Sequence, residues 1–250
     1  MKLRFKHQQF QTDACNAVCD VFSGQPKLDS FSYIMDTGRQ SADLITTDAF
    51  ANPQIALSKD NILRNINAQQ IMWAIEPSKE LAGIDRGEGL NLSVEMETGT
   101  GKTYTYTKTI YELNLRYGWT KFIIVVPSVA IREGVYKSLQ VTAEHFQQEY
   151  GKKIRYFIYN SSRLNDIEQF ATNSNINVMI INMQAFAARG EEARRISKPL
   201  DTFKGRVPMQ VIAATNPIII LDEPQSIAGA VVRDKLKEFN PLFTLRYSAT

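Results

Sequence analysis

The chain of 250 residues has only two cysteines, Cys15 and Cys19, and two histidines, His7 and His145. That scarcity excludes a disulfide scaffold, and the histidines fall at no zinc-ligand spacing, so two buried free thiols four residues apart on one helix are expected instead of a metal site. No apolar run approaches the roughly 20 residues that span a bilayer. Met1 to Lys6 also lacks the apolar segment of a secretory leader, so a cytoplasmic protein without a membrane partner is expected. Charge of one sign is scarce as well. Against 26 Asp and Glu stand 29 Lys and Arg, a net +3, too little to establish polyanion binding, which depends on a basic face and not on a total. The 44% hydrophobic and 22% charged content is that of a globular protein, long enough for one large α/β domain or two small ones; one is expected.

What is present centres on Met96-Glu-Thr-Gly-Thr-Gly-Lys-Thr103, after the apolar run Leu90 to Met96. It reads as a phosphate-binding loop between a buried strand and a helix. Gly99 and Gly101 allow the turn that aims successive N–H groups at one centre. Lys102 supplies a charge to the β- and γ-phosphates, Thr103 a hydroxyl to Mg²⁺, and the helix starting here a positive N-terminus. The consensus G-x-x-x-x-G-K-[ST] would place a further glycine at position 96, where this chain has Met96. A glycine-rich turn with an incidental lysine is the plain alternative, and a second site element further on weighs against it.

That element is Asn216-Pro-Ile-Ile-Ile-Leu-Asp-Glu-Pro-Gln-Ser226. A hydrophobic strand ends in Asp222 and Glu223 at the carboxyl edge of a sheet, where α/β folds bind ligands. Asp222 is suited to hold Mg²⁺ and Glu223 to polarise an attacking water. Two carboxylates there are costly if buried without a cation; otherwise both must lie in solvent.

The rest of the chain supplies the frame. Phe10 to Phe22 carries one apolar helical stripe, and Gln11 at its start has the donor and acceptor that would pair with adenine, although a solvated glutamine is the plainer reading. Residues 26–89 read as an irregular insertion before the loop. One helix is expected within it, from Lys59 to Ile75, capped by Ser58, with Trp73 in the core. Thr103 to Tyr117 should be helix with Gly118 as its cap. Lys121 to Pro127 reads as a strand buried on both faces, after which Ser128 caps another helix. Strands at Ile154 to Tyr159 and Val178 to Ile181 flank a helix over Leu164 to Ala171. Gly190 to Pro208 reads as a charged, solvated excursion, and Phe243 to Thr250 as a last strand. Alternating strands and helices predict a mainly parallel sheet flanked by helices.

The ordered series Gln11, Gly99 to Thr103, Pro127-Ser-Val-Ala-Ile-Arg132, Asn182-Met-Gln-Ala-Phe186, Asp222-Glu-Pro-Gln225 and Ser248-Ala-Thr250 resembles the first RecA-like P-loop NTPase domain of superfamily 2 helicases and translocases. Val94 to Thr103, Lys121 to Val135 and Leu221 to Ser226 look like the restriction subunit of type III restriction-modification enzymes. The resemblance implies that residues 1–250 form such a domain of a longer protein: an ATP-dependent, Mg²⁺-requiring motor on double-stranded DNA, working with a methyltransferase subunit, with any nuclease elsewhere. It implies that Gln11 and Thr98 to Thr103 bind ATP, that Lys102, Asp222 and Glu223 are catalytic, and that Thr103 and Asp222 ligate the metal. Ser128, Arg132, Asn182 and Gln184 would face DNA, and Gln225, Ser248 and Thr250 would couple the two sites. An arginine from a second RecA-like domain would be needed for turnover. The alternatives are another superfamily 2 helicase or repair ATPase, a P-loop kinase or small-molecule ATPase, and a non-catalytic nucleotide-binding module.

Overall fold

The computed structural model describes residues 5–40, 43–84, 87–183, 185, 195–227 and 230–249. Six strands form one sheet in the order β3-β8-β7-β4-β6-β5: β3 Asn91–Glu95, β4 Lys121–Val126, β5 Arg155–Ile158, β6 Asn177–Asn182, β7 Ile218–Asp222 and β8 Thr244–Ser248. All neighbouring pairs are parallel, so all six carboxyl ends, and the loops that follow them, lie along one edge. This is the α/β, RecA-like architecture.

Helices cover both faces. Strands β4, β6 and β7 are buried along their whole length, and alternate residues serve opposite cores. Phe122, Ile124, Val178, Ile180, Ile218 and Ile220 pack with α1 (Gln9–Asp20), α3 (Lys102–Tyr117) and α4 (Val129–Tyr150). Ile123, Val125, Met179, Ile181, Ile219 and Leu221 pack with α5 (Leu164–Thr172), α6 (Pro208–Ala213) and α7 (Ala230–Lys237). Each central strand fills two cores, which is why its sequence reads as an unbroken apolar run.

Helix α3 is the element that carries the loop into the core, and its threonines give it low intrinsic propensity. Burial overrides this. Thr105, Thr107 and Thr109 turn their hydroxyls to the carbonyls of Gly101, Thr103 and Thr105, four residues back. Each therefore enters the core with its polar atom satisfied.

Four expectations need correction. The segment 26–89 is not irregular: β1 (Phe31–Gln40) and β2 (Asp43–Ala51) form an antiparallel hairpin outside the main sheet, whose Met35 and Ala49 are buried against the second core. The helix expected after Ser58 is present as α2 (Lys59–Met72), with Ser58 Oγ accepting from the Asn61 amide, but Trp73 is 49% exposed. Ile62, Leu63 and Ile66 set the face that packs, and the last turn runs past it. Strand β3, expected to be buried, forms the edge of the sheet, with only Leu92 buried among its five residues. In the charged excursion, Arg206 pairs with Glu168 at 2.8 Å and lies over the Phe203 ring, while Ile196 and Phe203 are buried; the part before residue 195 lies outside the described residues. Cys15 and Cys19 are, as expected, buried free thiols.

Candidate functional site

The loop after β3 is bent by Gly99 (φ 81°) and Gly101 (φ 85°), both in the left-handed region that side chains disfavour. Gly101 is required for a second reason. A Cβ there would lie 2.6 Å from Gln11 Nε2, and that amide donates to the Thr100 carbonyl at 2.8 Å. Gln11 is thus buried, not solvated, and braces the loop from α1. Met96, where the consensus has a glycine, needs none for its conformation: its backbone does not have positive φ, its side chain packs into the core, and its N–H donates to the Ser248 carbonyl.

Among the described residues, no protein acceptor meets the amides of Gly99, Gly101, Lys102 and Thr103. Four backbone donors at a bend and the first turn of a sixteen-residue helix form a concave set of positive dipoles, the chemistry a phosphate chain fits. Thr98 and Gly99 lie exposed at its rim.

Across from the loop, β7 delivers Asp222 and Glu223. Lys102 Nζ lies 3.0 Å from Glu223 Oε1. Burial alone would raise the Glu223 carboxyl, but the hydrogen bonds from Lys102 and Gln225 prevail and hold it below the usual carboxylate range, so it stays ionised. Its backbone has φ 55°, uncommon for a side-chain-bearing residue and characteristic of functional positions. Its N–H donates to the Tyr247 carbonyl of β8. Asp222 is 5% exposed, and burial pushes it up to about 6 although a hydrogen bond from Tyr106 pulls the other way. The two carboxylates therefore differ: one ionised and half-buried on a lysine, the other buried beside a phenol.

That phenol was not legible in the sequence. Tyr106 is wholly buried, and its hydroxyl lies 3.3 Å from both Thr103 Oγ1 and Asp222 Oδ2. The only signal was its place one turn after Thr103. The described residues hold no group of three or more His, Cys, Asp or Glu placed to hold a metal ion. Mg²⁺ needs none, since it takes hard oxygens from one or two side chains, substrate phosphates and water. The Thr103 and Asp222 oxygens, on either side of one phenol, fit that donor set.

Those of the remaining expected residues that are described lie along the same edge. Ser128 Oγ accepts from the Ile131 amide as the cap of α4. Arg132 Nη1 donates to Asn182 Oδ1 at 3.2 Å, which joins the first turn of α4 to the end of β6, and its Nη2 pairs with Glu133 at 2.8 Å; Asn182 itself is 4% exposed, so Arg132 presents the outer group. Gln225 is exposed and bonded to Glu223 Oε2. Gln184 and Thr250 lie outside the described residues. No described helix is long and apolar enough to cross a membrane.

A parallel α/β sheet with a glycine-bent loop, a lysine and an Asp-Glu strand end is a RecA-like P-loop domain. Comparison with known proteins is more particular. The family model described as type III restriction enzyme, res subunit, matches residues 54–250, which brings much of the segment before the loop into the shared fold. The chain is 31% identical over 225 residues to the EcoP15I Res subunit of Escherichia coli, covering 83% of this chain and 23% of that protein. It is 31% identical over 236 residues to the EcoPI Res subunit of Escherichia phage P1, covering 87% and 24%. The chain belongs to the Res-subunit family of type III restriction enzymes. It spans about a quarter of the length of these relatives.

Proposed function

We propose that this domain binds and hydrolyses Mg-ATP and that the reaction drives translocation or switching on double-stranded DNA in a restriction-modification assembly. The observation that carries the reading is the meeting of Lys102 and Glu223 at 3.0 Å beside a loop of unpaired amides. The amides and Lys102 hold the phosphate chain. As the γ-phosphate takes Lys102, Glu223 is released with its charge intact to orient a water and accept its proton. Thr103 and Asp222 would hold Mg²⁺, which supplies charge neutralisation at the β- and γ-phosphates. Gln11 reads adenine.

Ser128, Arg132, Asn182 and Gln184 form the DNA-facing edge in this reading, with Arg132 as its charge. Gln225, Ser248 and Thr250 carry the state of the nucleotide to that edge: Gln225 touches Glu223, and Ser248 is tied through its carbonyl to Met96 at the root of the loop. The methyltransferase subunit supplies sequence recognition. Charge stabilisation by an arginine from a second domain is worth about 10³ to 10⁵ in rate where it operates, so residues 1–250 alone should bind Mg-ATP weakly and turn it over near background.

Labelled ATP titrated into two variants of the intact protein, beside steady-state phosphate release with and without duplex DNA, tests the assignment. Lys102→Ala should lose binding. Glu223→Gln should keep binding and lose turnover by about 10³-fold. Equal loss of binding in both would overturn it.

A further inference from the structure

Helix α3 contains four threonines at 103, 105, 107 and 109. Three of them donate to the carbonyl four residues back. Thr103 does not; among the described residues its hydroxyl meets Tyr106 instead. Tyr106 is held from behind by the edge of the Tyr247 ring, with centroids 5.5 Å apart and planes at 66°, and has no exposed surface. A residue that only filled this space would need no hydroxyl. This one reaches from Thr103 on α3 to Asp222 on β7.

The phenol O–H faces two acceptors at equal distance, Thr103 Oγ1 and Asp222 Oδ2, each 3.3 Å away. One donor between two acceptors ties both oxygens to a single point in the core. Its consequence is positional: Thr103 and Asp222, which come from α3 and β7, are held at a fixed spacing, and Asp222 is tethered through Oδ2 with Oδ1 left over.

We propose that Tyr106 is a positioning residue that presets Thr103 and Asp222 as a seat for the hydrated Mg²⁺ of a nucleoside triphosphate. This rests on the nucleotide reading above and adds to it a residue that touches neither nucleotide nor metal. Outer partners of metal ligands are worth about 10- to 100-fold in metal affinity where they have been removed.

The experiment compares Tyr106→Phe, Tyr247→Phe and the unsubstituted protein, each intact. Binding of a fluorescent ATP analogue is measured in EDTA and across a Mg²⁺ titration, and Mn²⁺ binding to the nucleotide complex is followed by electron paramagnetic resonance. Tyr106→Phe should leave the thermal midpoint and the metal-free affinity for the analogue nearly unchanged, while the gain on adding Mg²⁺ and the Mn²⁺ affinity fall about 10-fold. Tyr247→Phe removes a buried phenol bonded to Thr109 and should leave the metal dependence intact. An unchanged Mg²⁺ and Mn²⁺ response in Tyr106→Phe overturns the proposal, as does an equal loss in Tyr247→Phe, which would mark a general packing effect. Absence of analogue binding by the unsubstituted protein would overturn the nucleotide reading itself.

Discussion

The two edges of the sheet both bury polar side chains, but they spend their hydrogen bonds differently. At the amino edge Asn52, fully buried after β2, uses its whole amide on main chain: Oδ1 accepts from Thr120 and Lys121, and Nδ2 donates to the carbonyls of Lys121 and Asn216. Lys121, equally buried, gives its two bonds to the carbonyls of Phe170 and Asn173 at the end of α5. At the carboxyl edge the partners are side chains: Lys102 with Glu223, Tyr106 with Asp222, Arg132 with Asn182. A bond to the main chain of a packed element cannot be exchanged without unfolding it. A bond between side chains can be traded for a ligand. The amino edge is closed and structural; the carboxyl edge is closed only on itself and can open.

The largest expected contrast comes from breaking each edge in turn. Glu223→Gln, which should cost about 10³-fold in turnover, is expected to change stability by less than about 1 kcal/mol, because the ion pair it removes is part-exposed. Asn52→Leu should do the reverse. It leaves the Thr120 and Lys121 amides without their acceptor and two carbonyls without their donor, a loss of about 3 kcal/mol from the sum of buried unpaired groups. Urea denaturation of both variants, with analogue binding measured on the folded fraction, checks the pair. An Asn52→Leu protein of normal stability, or one that folds but has lost nucleotide affinity, would break the division between the edges.

Lys121 offers a smaller and pH-dependent contrast. Burial pushes its ammonium down to about 7 from 10.5, and the neutral amine has two N–H donors for the two carbonyls it meets. Between about 7 and 10.5 the unfolded chain holds one proton more than the folded chain, so stability rises with pH across that window by up to about 1.4 kcal/mol per unit. Below about 7 the penalty is present in full. In Lys121→Met that slope should vanish. Unfolding midpoints at pH 7, 8.5 and 10 for the two proteins measure it, and parallel pH profiles would refute the assignment.

The sequence disclosed the frame and the charged half of the site because both are written in local patterns. Unbroken apolar runs marked β4, β6 and β7, and Gly99, Gly101, Lys102, Asp222 and Glu223 stood next to the elements that position them. What escaped depends on distance in the chain. Tyr106 and Asp222 are 116 residues apart, and nothing around Tyr106 distinguishes it from Tyr111 or Tyr117. The Asn52 bonds reach 69 and 164 residues along the chain. The β1–β2 hairpin was missed because its strands lack the apolar density of the main sheet, and Trp73 was misplaced because an aromatic beside an apolar stripe gives no sign of where the packing partner ends. The edge position of β3 follows from strand order, which the sequence of one strand does not contain.

Gln11 belongs to both kinds of bonding and so gives the finest test of the comparison. One of its N–H groups is committed to the Thr100 carbonyl, a main-chain partner that braces the loop. Among the described residues its other N–H and its Oε1 meet no partner, and they are the pair that would give a hydrogen bond to adenine N7 and receive one from N6. Guanine carries a carbonyl where adenine has the amino group, and would set two acceptors against each other. Gln11→Ala should therefore reduce the preference for ATP over GTP by about 10-fold, two modest hydrogen bonds' worth, and lower stability slightly through the lost brace. Competition of ATP and GTP against the fluorescent analogue measures the first effect and a thermal melt the second. If the melt shifts and the ATP/GTP ratio does not, Gln11 is a brace alone and belongs with Asn52; if the ratio falls, the open half of its amide is part of the base site.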